Sequence, residues 1–184
     1  MKLISLIDNT AVDDKLFSEN GMSFFVEFGG KNYIIDTGLT GKAAENARRM
    51  QLPTDELDAV VLTHNHAAHV GGIDSFMRLS PDAEIYLRAG AQTERFRKTG
   101  FFKEPVGAGK AFFKKYADDL ILFNRFSEVA EGFYLASCET FDEKDLNPDR
   151  SYFALDGKKQ LFSVQNINQD QPARDSHSRL QRIG

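Results

Sequence analysis

Apolar residues recur along this chain with two periods, and the changes from one to the other set out its elements. "KLISLI" (2–7) and "MSFFVEF" (22–28) read as strands, and "EFGGKNYIIDTG" (27–38) as a hairpin whose Gly29-Gly30 turn allows positive φ before "YIID" returns. After Asp36-Thr37-Gly38, Leu39, Ala43, Ala47 and Met50 fall at helical spacing with charges between them, and Pro53 closes an amphipathic helix. "LDAVVLT" (57–63) is apolar enough for a strand buried on both faces, and Gly71-Gly72 leads into a short helix, "IDSFMRLS" (73–80). Beyond it "AEIYLRA" (83–89) predicts a strand and "GAQTERFRKTG" (90–100) a helix. "DLILFN" and "GFYLAS" predict strands, and "SYFALDGKKQLFSV" (151–164) a second hairpin turning at Asp156-Gly157. Strand and helix alternate without an internal repeat.

Composition narrows what such a chain does. Its 184 residues, 41% hydrophobic, suffice for one substantial core, so residues 1–164 are expected to form one domain. After Val164 the pattern stops, and "QNINQDQPARDSHSRLQRIG" (165–184) reads as a polar, solvated tail. The net charge of −4 provides no global positive field for a nucleic acid or an anionic membrane, and neither partner is expected. The single cysteine, Cys138, has no intrachain partner and fits a reducing compartment. With no signal-like segment and no apolar run of membrane-spanning length, the expected location is the cytoplasm.

Chemistry concentrates in "VVLTHNHAAHVGG" (60–72), which holds three of the four histidines within six positions, directly behind a run of β-branched residues. In an extended loop His64 and His66 point to one side, and a turn at Ala67-Ala68 brings His69 back toward them. Three neutral imidazoles then suit zinc, iron, nickel or copper, with one place left open. The alternative is three surface or hydrogen-bonded histidines that hold nothing together.

"IIDTG", a helix containing "NARRM", and "LDAVVLTHNHAAHVGGI" together resemble the metallo-β-lactamase superfamily, whose signature is His-x-His-x-Asp-His after a hydrophobic strand. Within it, "IDNT", "ENGMSFFVE" and the Asn46-Ala47 pair look like the branch of dihydropterin ribofuranosyl-aminobenzene phosphate synthase-like metal-dependent hydrolases. The resemblance is strong over residues 1–80 and weak over 81–164. It implies an α+β fold, an αββα sandwich of the ribonuclease Z and hydroxyacylglutathione hydrolase type, with the metal site at the edge of two sheets. On that pattern His64 and His66 match ligands of a first metal and His69 a ligand of a second. Asp36 enters the catalytic set as the aspartate behind the histidine loop that orients an imidazole.

Two departures qualify what the resemblance implies. Ala68 stands where the superfamily has the aspartate that binds the second metal and assists the nucleophilic water. After "QLFSV" the branch has a Gly-Cys-Ser-His segment, whereas here no histidine appears before His177 in the tail, so the domain is expected to be incomplete at its C-terminus. The expected cofactor is zinc or another transition metal, at most one ion and loosely bound. The expected function is metal-dependent hydrolysis of an ester, phosphoester or amide in an unidentified small-molecule substrate, impaired by the missing ligands. The alternative is a non-catalytic binding or scaffold protein that retains the fold. An uncovered C-terminal edge would favour a homodimer through the last strands. "VGAGKA" (106–111) lacks the residues of a phosphate loop, and the pairs Phe101-Phe102 and Phe112-Phe113 are expected to pack into the core.

Overall fold

A computed structural model describes residues 1–99, 101–124 and 126–136, together with the strand backbones of 152–156 and 159–162. In chain order its strands are β1 (Lys2–Ile7), β2 (Ser23–Phe28), β3 (Lys31–Ile35), β4 (Ala59–Leu62), β5 (Glu84–Arg88), β6 (Arg95–Thr99), β7 (Phe102–Pro105), β8 (Leu120–Phe123), β9 (Phe126–Ala130), β10 (Phe133–Ala136), β11 (Tyr152–Asp156) and β12 (Lys159–Phe162). The helices are α1 (Lys42–Arg49), α2 (Ala67–Val70), α3 (Ile73–Leu79) and α4 (Lys110–Lys115).

Six strands form the central sheet in the order β1-β2-β3-β4-β5-β8. The two-residue turn between β2 and β3 forces them antiparallel, with Gly29 and Gly30 at φ 62° and 76°. From β3 onward helices lie between successive strands, and β3, β4, β5 and β8 run parallel. Because side chains alternate along a strand, the sheet buries both faces. Phe25, Ile34, Val60, Leu62, Ile85 and Leu87 face Ala43, Ala47, Ile73, Phe76 and Met77 of the helices. Val26, Tyr33, Ala59, Val61 and Tyr86 face the other way, against Val129, Phe133 and Leu135 of the β9–β10 pair. Phe133 meets Tyr33 edge-on at 4.8 Å. Full burial of a side chain such as Phe25 or Phe76 contributes about 1.5–3 kcal/mol, so these two faces carry most of the domain's stability.

The expected sandwich is thus present as helices on one face of the sheet and strands on the other. Asn46, fully buried on α1, donates to the carbonyls of Leu6 and Phe17 and accepts the Phe17 N–H, tying the segment after β1 to the helix.

Residues 90–100 correct one expectation. Instead of a helix, β6 pairs antiparallel with β7 and, on its other side, with β11 of a β12-β11-β6-β7 sheet. "RFRKT" carries only Phe96 as an apolar residue, too little for the stripe that a helix would need to bury, and neighbouring strands take up its backbone groups instead. Neither β7, β9 nor α4 was evident in the sequence. The phenylalanine pairs also divide. Phe112 and Phe113 meet each other edge-to-face and pack against the helix-side core, but Phe101 and Phe102, at the β6–β7 turn, are exposed. The second expected hairpin is found as β11–β12. Cys138, His177 and the tail 165–184 lie outside the described residues. No helix among those described is long and apolar enough to cross a membrane.

Candidate metal centre

β4 ends at Leu62, and Thr63 carries the chain out of the sheet to His64. His66, extended at φ −128° and ψ 142°, caps the single turn α2, and the amides of His69 and Val70 both donate to its carbonyl. That turn brings His69 back beside His64. One ring nitrogen from each of His64, His66 and His69 lies within 4.8 Å of the others, and the His64 and His69 ring centroids are 4.0 Å apart.

Asp36 closes the site from behind. It follows β3 in the left-handed region at φ 55°, a conformation that aspartate tolerates better than most residues, and it is fully buried. Its Oδ1 accepts the Thr63 N–H at 2.8 Å, while Oδ2 accepts both the Thr63 hydroxyl and His69 Nδ1 at 2.7 Å. A carboxylate only accepts here, so the tautomer of a neutral His69 ring that this contact selects has its proton on Nδ1 and its lone pair on Nε2. The Thr63 hydroxyl spends its one proton on Asp36, so in its 3.0 Å contact with His64 Nδ1 it accepts. Both imidazoles are therefore oriented by one carboxylate, His69 directly and His64 through Thr63. Thr37 completes this wall, its N–H and hydroxyl both donating to the His69 carbonyl at 2.7 and 2.9 Å.

The opposite wall is the segment Val106–Ala108. The Ala67 N–H donates to the Val106 carbonyl at 2.7 Å, and the Asn65 side chain takes the Ala108 N–H at 2.6 Å and gives to its carbonyl at 3.0 Å. Gly107 allows this approach, because a Cβ there would lie 2.3 Å from the Asn65 carbonyl oxygen. Thr63, Asn65 and the "VGAG" segment had no role assigned from sequence. Thr63 was open to inference, as the hydroxyl between a strand end and the first histidine; the Asn65 clamp spans 43 positions and leaves no local trace.

Burial, with repulsion from His69 next, pushes the His64 imidazole down to about 4; Asp36 opposes this, and His66 and Arg95 add to it. His64 is therefore neutral near pH 7, the form that binds a cation. The donor set fits a tetrahedral ion such as zinc, whose bonds of about 2.0–2.1 Å need donors about 3.4 Å apart, a small closure from the present spacing. Ala68, buried on α2, contributes only a methyl group. A groove of about 680 Å³ between α1 and α3 includes none of these residues, so the chemistry does not lie there.

The family model of the metallo-beta-lactamase superfamily matches residues 18–135, which include β2 to β9, most of β10 and all four residues of this centre. The chain belongs to the metallo-beta-lactamase superfamily. Two other proteins are similar to it over short spans. The chain is 32% identical over 60 residues to exodeoxyribonuclease WalJ of Streptococcus pneumoniae, 32% of this chain and 22% of that protein. It is 34% identical over 53 residues to hydroxyacylglutathione hydrolase of Aeromonas salmonicida, 29% of this chain and 20% of that one. The alignments thus span little more than a fifth of either relative. The crystal structure of Tm1679, a metal-dependent hydrolase of the beta-lactamase superfamily, superposes with a TM-score of 0.67 at 19% identity, over 88% of this chain and 57% of that one. At that identity the likeness is one of fold.

Proposed function

We propose that this chain is a metal-dependent hydrolase that holds one transition-metal ion, zinc by its donor chemistry, through His64, His66 and His69. The observation that carries the reading is the joint orientation of His64 and His69 by Asp36, which leaves a lone pair on each for a cation. The ion, when bound, would polarise the scissile bond and acidify a water. The protein's own part is to keep His64 neutral and the His64 and His69 rings fixed, with Asp36 as a positioning residue too deeply buried to touch substrate. The bond cleaved is that of an ester, phosphoester or amide in a small molecule; the two named relatives do not narrow it. "IDNT", "ENGMSFFVE" and Asn46-Ala47 support the dihydropterin synthase-like branch, and a single cysteine supports a cytoplasmic location.

Ala68 favours a second reading, a binding or scaffold protein with a weakened centre, because a methyl group neither coordinates a cation nor accepts a proton. Elemental analysis of protein purified without a histidine tag separates the two. The hydrolase reading expects up to one equivalent of metal, lost in His64→Ala and His69→Ala, and higher occupancy in Ala68→Asp. Metal-free, well-folded protein that takes up no zinc would establish the scaffold instead.

A further inference from the structure

We propose that the hollow at the amino-terminal edge of β3, β4 and β5 is a second ligand site, one that takes a small organic dication with an ammonium group at each end. It lies outside the histidine centre and does not depend on the hydrolase reading.

Strand register builds the hollow. Tyr33 stands beside Ala59, and Ala59 beside Glu84, on three adjacent parallel strands, so the three side chains rise in a row from one face. The middle one is only a methyl group. Between its larger neighbours it leaves a space of about 380 Å³, bounded by Val129 of β9. Ala59 opens β4 and the histidine loop leaves its other end after Leu62, roughly 10 Å further along the strand, so the two sites occupy opposite margins of the sheet.

Carboxylates at the mouth, from Asp58, Asp82 and Glu84, would by themselves be an ordinary solvated surface. Tyr33 is what points to a ligand. It is 1% exposed and lines the hollow, its ring held edge-on by Phe133, and its hydroxyl is buried without a hydrogen-bond partner among the described residues. A buried hydroxyl left unmet costs stability, and phenylalanine would fill the same space without that cost. Burial, with the Asp58 charge next, holds this phenol above its usual range, so it keeps its proton and offers a neutral oxygen as acceptor.

Charge then selects the ligand. Lys31 meets Asp58 at 3.5 Å, Asp58 also accepts the Asn32 N–H, and Glu84 accepts the Tyr86 hydroxyl through one oxygen. Among the residues lining the hollow, three carboxylates against the one Lys31 ammonium leave two negative charges. A bare metal ion does not suit them, since among the described residues only the three histidines bring their ligand atoms close enough for one. A dication whose charges stand apart matches carboxylates that stand apart. Its methylenes lie against Ala59 and Val129, and one ammonium gives Tyr33 the hydrogen bond it lacks.

1,4-Diaminobutane titrated into the full, metal-free chain at low ionic strength, followed by calorimetry and thermal melting, tests the site. The diamine should bind one to one and raise Tm, 1-aminobutane should bind at least tenfold more weakly, and 1,4-butanediol should not bind. Asp82→Asn and Glu84→Gln should each weaken the diamine tenfold or more. Tyr33→Phe should weaken it too, yet raise the Tm of ligand-free protein, because an unmet hydroxyl is gone. His64→Ala should bind the diamine as the unaltered chain does, which keeps this site separate from the fate of the metal centre. Equal affinity for monoamine and diamine, undiminished diamine binding in the Asp82→Asn and Glu84→Gln double variant, or a ligand-free Tm lowered by Tyr33→Phe would overturn the proposal. So would magnesium raising Tm more than sodium chloride of the same ionic strength, since the site would then be one for a compact ion.

Discussion

At the scale of single residues the centre depends on one carboxylate that accepts three donors: the Thr63 N–H, the Thr63 hydroxyl and His69 Nδ1–H. An amide presents one oxygen and one NH2, so Asp36→Asn must set a donor against a donor in a fully buried place. Its zinc affinity, measured by competition with a chromophoric chelator, should fall about 10–100-fold while the histidines themselves remain. Thr63→Val should cost affinity through His64 alone, and Thr63→Ser should restore it; equal affinities in all three variants would show that the relay orients nothing. His64, His66 and His69 were legible from their spacing at the end of a plainly apolar strand, whereas Asp36 entered only through the family resemblance. Thr63 escaped notice because its role exists only once β3 and β4 lie side by side and bring Asp36 beneath it.

At the scale of elements, the same contrast separates β4 from β6. β4 announces itself by four consecutive buried apolar residues, whereas β6 has one apolar residue among charges and becomes a strand through the neighbours that pair with it. Local pattern cannot report such tertiary pairing. The segment after β7 is tied to the histidine loop just as remotely, through both polar ends of Asn65. Asn65→Ala deletes two hydrogen bonds and leaves an amide and a carbonyl of Ala108 without them. It should destabilise the domain by about 1–3 kcal/mol in urea unfolding and weaken zinc binding in step. Loss of stability with metal affinity untouched would mean that this clamp supports the β7–α4 segment and not the loop.

At the scale of the whole molecule, the buried imidazole links folding to pH. His64 titrates at about 4 in the folded protein and near 6.5 when unfolded, so between those values the unfolded chain binds more protons. The metal-free protein should therefore lose stability as pH falls from about 6.5 toward 4, by up to about 1.4 kcal/mol per pH unit from this group, with no contribution from it above that window. Denaturant midpoints in chelator that stay flat across the window would show that His64 is more hydrated than its burial indicates. The bonds from Ala67 to Val106 and from Val106 to Arg95 have a further consequence, one of timing. They fasten the histidine loop to β6 on one side, while Asp36, Thr37 and Thr63 fasten it to the central sheet on the other. Were the short, charged β6–β7 hairpin to come away, the loop would lose one wall and keep the other, on β3 and β4. A substitution that weakens the β6–β7 pairing should therefore speed the loss of a histidine-bound ion to chelator, so that the residence time of a metal would be set in part by a hairpin outside the ligand set.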